Sequence, residues 1–124
     1  MSLSPSLRLL TYFLAMMPIG FGINAFVRPD HALSFFEFDY PTTAPEKQLL
    51  DAMMMVYGAR DVFMGLVLAA SAQFGTRKST GWTLIFTGAV AGVDGLVCRF
   101  YSTGEWTHWG YAPVLAVLGG FLVV

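Results

Sequence analysis

Residues 49–73, LLDAMMMVYGARDVFMGLVLAASAQ, form an apolar stretch that carries Arg60 and Asp61 near its centre. About 20 apolar residues in a helix cross the ~30 Å hydrocarbon core of a membrane. An Arg or Asp at the middle of such a helix costs roughly 2.5–3.5 kcal/mol on insertion scales. The stretch therefore predicts a transmembrane helix whose two charges need partners elsewhere in the chain.

The composition of the whole chain is that of an integral membrane protein. Of the 124 residues, 56% are hydrophobic and 12% are charged, whereas soluble domains carry about 25% charged residues. We therefore expect the lipid bilayer as the main partner, and the net charge of −1 gives no reason to expect nucleic acid. The single cysteine, Cys98, allows no internal disulfide.

Four apolar segments predict an all-α fold, an integral membrane four-helix bundle that forms one domain over residues 1–124. The four helices are expected at about residues 7–27, 46–72, 80–101 and 107–124. An even number of crossings places both termini on one side of the membrane.

The longest polar segment, residues 28–48, contains three prolines and several aromatic residues. It predicts an interfacial loop, a short re-entrant piece or a lid on the side opposite the termini. Cytoplasmic sides carry more Lys and Arg than the other side does. Arg8, Arg77 and Lys78 lie on the side of the termini, against Arg28 and Lys47 on the long-loop side, which favours cytoplasmic termini.

The polar residues of the predicted helices share one depth. At about 1.5 Å of rise per residue, Arg60 and Asp61 lie near the midplane, with Asp94 of the third helix a few ångströms away. Tyr57 precedes Arg60 by three residues and shares its face. The remaining polar groups continue toward the long loop: Asn24, Cys98, Arg99, Tyr101 and His108. This arrangement predicts a polar pocket that opens on the long-loop side.

Two carboxyl groups and a guanidinium in a dry pocket make an acid–base set. One carboxyl acts as base and the other as acid, because unlike surroundings give them different protonation states. We predict Asp61 and Asp94 as the pair, Arg60 as the group that orients them, and Tyr57 and His108 as secondary donors. The predicted substrate-binding residues are Asn24, Cys98, Arg99 and Tyr101.

This set suits the attack of water, or of an internal hydroxyl, on an epoxide. The predicted function is thus a small membrane enzyme that acts on a lipophilic small molecule by epoxide hydrolysis or by epoxide-opening cyclisation or isomerisation. The alternative is a non-catalytic membrane protein, either an accessory subunit or a carrier of protons or small molecules. In that reading Arg60 forms a structural or transport ion pair with Asp61 or Asp94.

No cofactor and no metal ion are expected. The two histidines, His31 and His108, are far apart in sequence and no Cys/His cluster accompanies them. The chain has no phosphate-binding loop and no dinucleotide fingerprint. Three glycines share one face of the third helix and favour close helix contact, in a homodimer or within the bundle: Gly88, Gly92 and Gly95.

Residues 57–61, Tyr-Gly-Ala-Arg-Asp, resemble an element of a family of small four-helix membrane proteins of unknown function. Members carry Tyr-Gly-x-Arg-Asp in the second helix, an aspartate in the third and a histidine before the fourth, which correspond here to Asp94 and His108. The resemblance implies a fold and no activity. A looser resemblance is to small membrane hydrolases and cyclases of fungal natural-product pathways, and the Asp–Arg–Asp trio resembles that of soluble epoxide hydrolases with a different fold.

Overall fold

The computed structural model describes residues 2–124, which form six helices without a strand. The helices are α1 (Pro5–Val27), α2 (Pro29–Ser34), α3 (Ala44–Phe74), α4 (Arg77–Tyr101), α5 (Glu105–Trp109) and α6 (Ala112–Val123). The prediction of an all-α bundle is confirmed. By length and composition, α1, α3 and α4 can each cross a membrane, so the chain is a membrane protein.

The last helical region differs from the single helix predicted at residues 107–124. It consists of α5, a break at Gly110 and Tyr111, and α6, which has 12 residues. Pro113 lies in the first turn of α6, and a proline ring clashes with the carbonyl four residues earlier and donates no hydrogen bond. A continuous helix through this point is therefore disfavoured.

Short polar signals set where the long helices begin. The Ser4 hydroxyl accepts a hydrogen bond from the backbone N–H of Leu7 at the start of α1. Thr76 and Ser79 form a reciprocal capping box at the start of α4. Pro45 lies in the first turn of α3, where its missing N–H would have no partner in any case.

The four longer helices form two antiparallel pairs, α1 with α3 and α4 with α6. In each pair the backbones touch at glycines. A Cβ atom on Gly58 would lie 2.7 Å from the carbonyl oxygen of Gly22, and one on Gly119 would lie 2.6 Å from that of Gly81. Small residues permit such close packing in membranes. Each half of the chain thus has the same element order: a long helix, a short helix and a returning helix.

The glycine face of α4 is used within the chain. A Cβ atom on Gly88 would meet the backbone of Ala112, and one on Gly95 would meet the ring of Trp109. The indole N–H of Trp109 donates to the carbonyl of Gly92. Of the two contacts predicted for this face, the structure therefore shows the one inside the bundle.

Two apolar clusters lie at different heights in the bundle. The first joins both helix pairs near the termini and consists of Leu3, Leu14, Ala15, Leu68, Ala72, Leu84, Leu115 and Leu122. The second lies under the long loop and consists of Ala25, Ala32, Leu33 and Met54. The polar side chains of α3 and α4 lie at the level between the clusters, where the two helix pairs meet.

Candidate functional site

Arg60 of α3 binds two carboxylates at once. Its Nη1 and Nη2 donate to Oδ1 and Oδ2 of Asp94 at 3.0 and 2.8 Å. Its Nε and Nη2 donate to Oδ1 of the neighbouring Asp61 at 3.2 and 3.1 Å. Because Nη2 contacts both residues, Asp61 Oδ1 and Asp94 Oδ2 are no more than 5.9 Å apart, the sum of 2.8 and 3.1 Å.

The helical spacing of residues along α3 determines how Tyr57, Arg60 and Asp61 are arranged. Neighbours on a helix point about 100° apart, so the Arg60 side chain must fold back to reach Asp61. The ring of Tyr57, one turn earlier, supports it: the guanidinium carbon lies 4.7 Å from the ring centroid. The side chains of Asp61 and Asp94 are 5% and 14% exposed, and that of Arg60 is 37% exposed. Asp61 is thus buried, Asp94 is largely covered, and the guanidinium remains partly open.

The cluster carries an excess of one negative charge when both carboxyls are ionised. A low-dielectric site disfavours uncompensated charge. One bound proton makes the cluster neutral, with one carboxylic acid and one carboxylate beside the same guanidinium. This is the composition that an acid–base pair needs.

A cavity of about 80 Å³ lies against this cluster; we call it the inner cavity. It is enclosed by α1, α3, α4 and the α5–α6 region, and thus lies between the two helix pairs. Its polar lining residues are Tyr57, Asp61, Thr87, Asp94, Thr107, His108 and Tyr111. The structure therefore places four of the five predicted catalytic residues on one cavity wall, and the fifth, Arg60, holds both carboxylates.

His108 reaches the cavity from α5. Its ring lies against that of Phe36, with the centroids 4.6 Å apart. Its Nε2 atom is buried and has no hydrogen-bond partner among residues 2–124. Burial lowers the pKa of His108 below its ordinary value of 6.5, so the ring is neutral at pH 7. A neutral imidazole can offer a hydrogen bond to a bound molecule.

The four predicted substrate-binding residues lie outside the inner cavity. The side-chain oxygen of Asn24 lies 3.2 Å from Nδ1 of His31. Cys98 is fully buried in helix packing, and Tyr101 is 75% exposed. The Arg99 guanidinium forms an ion pair with Glu105 at 3.4 Å.

Three polar residues on the cavity wall were not among the predicted site residues: Thr87, Thr107 and Tyr111. Thr87 lies seven residues before Asp94 and so shares its helix face; this spacing was a usable signal. The Tyr111 hydroxyl donates to the carbonyl of Leu14 at 2.8 Å, which ties the α5–α6 junction to α1. The break before α6 directs Tyr111 inward. Pro113 is a sequence signal for that break, but the sequence alone does not show that the Tyr111 ring faces the cavity.

Two larger grooves flank the inner cavity. The outer groove, about 470 Å³, lies between α3 and α4 under residues 33–41, and Tyr57 and Asp94 line both it and the cavity. The side groove, about 410 Å³, lies along α1 and α2. Met17, Phe21 and Phe35 line both the side groove and the cavity.

Within residues 2–124, no three His, Cys, Asp or Glu side chains are grouped so that they could hold a metal ion. The donor set of the site is instead two carboxyls, a guanidinium, two phenols and an imidazole. The carboxyls, the phenols and the imidazole can donate or accept protons, and the guanidinium stays charged and donates hydrogen bonds.

Comparison with known proteins gives one match. The model of a family described as a domain of unknown function (DUF4267) matches residues 15–122. The matched region includes α2 to α5, the Arg60 cluster and all residues that line the inner cavity; it omits the first ten residues of α1 and the last residue of α6. No curated protein and no solved structure matches the chain.

Proposed function

The chain belongs to the DUF4267 family, and we propose that it is a small membrane enzyme that opens epoxides of lipophilic molecules by acid–base catalysis. One observation carries this proposal. Asp61 and Asp94 share the guanidinium of Arg60 at the wall of an enclosed cavity within an apolar bundle. A carboxylate and a carboxylic acid so close together can take a proton from one reactant and give a proton to the other.

In this reaction the ionised carboxyl removes a proton from water as the water oxygen attacks a ring carbon. The carbon–oxygen bond of the ring breaks, and its electron pair stays on the former ring oxygen. That oxygen takes the proton of the other carboxyl, and a vicinal diol results. The two carboxyls have then exchanged protonation states, and a proton moving between them within the cluster restores the first state.

The other residues of the site assist the reaction, and none of them is consumed in it. The guanidinium of Arg60 holds both carboxyls in place and compensates the negative charge. The Tyr57 hydroxyl and the free nitrogen of His108 are further donors for the opening oxygen. A hydroxyl of the substrate in place of water would give a cyclic ether by the same proton transfers.

The test is turnover of the epoxide of decene by the purified protein and by its Asp61→Asn and Asp94→Asn variants. Removal of a general acid or base costs about 10²–10⁴-fold in rate, so both variants should lose turnover by at least about a hundredfold. The matched control is Asp30→Asn, which neutralises an exposed aspartate of α2 outside the cavity. Equal turnover in Asp61→Asn and the control would refute the proposal.

A second function is favoured by a separate observation. The two-point contact between Arg60 and Asp94 joins the α1–α3 pair to the α4–α6 pair, as expected of a structural ion pair in a non-catalytic protein. Substitution of Asp61 distinguishes the enzyme from the non-catalytic protein. Neutralisation of Asp61 leaves Arg60 and Asp94 paired, so a purely structural cluster tolerates Asp61→Asn without functional loss, whereas the enzyme does not.

We also infer four crossings and cytoplasmic termini. The carbonyl of Phe121 accepts a hydrogen bond from Arg77, so the end of α6 lies beside the start of α4. Its 12 residues span about 18 Å. With α5 and its tryptophans in the interface, α6 can complete a short fourth crossing. Arg8, Arg77 and Lys78 then lie at the cytoplasmic end.

A further inference from the structure

We propose that the outer groove holds the hydrocarbon chain of the substrate, so that the substrate is an elongated lipophile with its epoxide at the end beside Tyr57 and Asp94. This inference rests on the proposed function for the chemistry of the reacting end. The site of the hydrocarbon chain is argued from the groove itself.

The inner cavity is too small for a whole lipophilic substrate. Its volume is about 80 Å³, whereas an apolar cavity of about 150 Å³ accommodates benzene. The cavity has room for water and for the reacting carbon and oxygen atoms. The rest of the molecule must therefore lie outside it.

The outer groove has the volume, lining and continuity for that remainder. Small-molecule sites occupy about 300–1,000 Å³ and are mostly apolar, and the outer groove measures about 470 Å³. Along α3 it extends from Leu50 to Tyr57, about 10 Å at 1.5 Å per residue. Phe36, Met53 and Val97 contribute apolar walls, and Tyr57 belongs both to this groove and to the cavity.

The side groove does not lead to the Arg60 cluster. It shares only the apolar residues Met17, Phe21 and Phe35 with the inner cavity. No member of the Arg60 cluster lines it. A molecule bound in the side groove would contact none of the predicted catalytic residues, because none of them lines it. The outer groove is thus the one that leads to the reacting groups.

Two valines of α4 give a matched pair of variants. Val97 lines the outer groove and is 40% exposed, whereas Val93, one turn earlier, is 58% exposed and lines neither groove nor the cavity. Val97→Trp should fill the groove, and Val93→Trp places the same side chain beside it. Neither valine takes part in the hydrogen bonds of the Arg60 cluster.

The first measurement is binding, which does not depend on turnover. The vicinal diol of decene should raise the unfolding temperature of the wild type and of Val93→Trp in lipid nanodiscs, with little effect on Val97→Trp. An equal rise in all three proteins, or none in the wild type, would overturn the assignment. An equal rise with plain decane would show that the groove takes any hydrocarbon, such as a lipid chain, and would also overturn it.

The second measurement is kcat/KM for the epoxides of butene and decene. Each methylene buried in the groove should raise kcat/KM about fourfold. Val97→Trp should therefore lower the value for the decene epoxide by about tenfold or more and leave that for the butene epoxide nearly unchanged. Diol binding that follows this pattern without turnover of either epoxide would refute the proposed function alone. Turnover that Val97→Trp does not alter would refute the inference alone.

Discussion

At the scale of single residues, the centre of the protein is an arginine with more negative charge around it than it can neutralise. Arg60 donates four hydrogen bonds to two carboxylates. One of these partners, Asp94, belongs to the other helix pair, whereas Asp61 is the neighbour of Arg60 in the chain. The two aspartates therefore have different roles in the fold, although both carry a carboxyl group bound to the same guanidinium.

We predict that Asp61→Asn and Asp94→Asn have unlike effects on stability. Asp61→Asn removes the excess charge and keeps the Arg60–Asp94 contact, so the unfolding temperature should stay the same or rise. Asp94→Asn removes the link between the helix pairs and should cost about 1–2 kcal/mol, below the 3–5 kcal/mol of a fully buried pair because Arg60 is 37% exposed.

Thermal unfolding of both variants in detergent, with Asp30→Asn as the control, measures this difference. A loss in Asp61→Asn as large as that in Asp94→Asn would contradict the prediction. It would mean that both carboxylates are needed to hold the helices together, so that Asp61→Asn would no longer distinguish the enzyme from the structural ion pair.

At the scale of helices, the glycine of the Tyr-Gly-Ala-Arg-Asp element has a packing role. The carbonyl of Gly22 on α1 occupies the place where a side chain of Gly58 would lie. The ring of Phe26 is close to the same point, 3.0 Å from an added Cβ atom. This contact fixes how α3 lies on α1, and it thereby sets the direction of Tyr57, one residue before Gly58, and of Arg60, two residues after it.

We predict that Gly58→Ala lowers the free energy of unfolding by about 1–3 kcal/mol, because the added methyl group meets the backbone of α1. Gly20→Ala is the matched control, since an added Cβ atom there has nothing within 4 Å. Reversible unfolding of the two variants against the wild type gives the comparison. Equal stability of Gly58→Ala and Gly20→Ala would show that α1 and α3 can separate at no cost.

At the scale of the whole molecule, two helix pairs of the same element order enclose the polar cluster between them. Both short helices and both loops lie at one end, where the Ser102 hydroxyl donates to the carbonyl of Phe36. The other end holds the termini and the turn between α3 and α4. The cavity thus lies closer to one membrane surface, and its neighbours on that side are the long loop and α5.

The proposed topology predicts a labelling pattern in a Cys98→Ala background, in which the only native cysteine is gone. In intact cells a membrane-impermeant maleimide should react with Thr42→Cys and spare Ser2→Cys and Val124→Cys. After permeabilisation all three should react, since all three positions are exposed. Labelling of Val124→Cys in intact cells would show that α6 does not complete a fourth crossing, and the reverse pattern would place the termini outside the cytoplasm.

The sequence by itself determined the helical membrane fold and the set of charges at its centre. Apolar length and the cost of a buried charge are properties of a segment and its residues, so Arg60, Asp61 and Asp94 could be identified before their contacts were known. The position of Tyr57 on the same helix face as Arg60 could also be predicted from the sequence, because it follows from helical spacing alone.

Only the tertiary structure decided which polar groups meet. Helix rotation and tilt are set by packing against neighbours, so the sequence pattern did not separate Tyr111, on the cavity wall, from Asn24 and Arg99, which pair elsewhere. The pairing of helices is likewise set by contacts between distant segments, whereas the break before α6 has a local cause in Pro113. The outer groove exists only because α3, α4 and the long loop enclose a space together, and no single segment encodes that space.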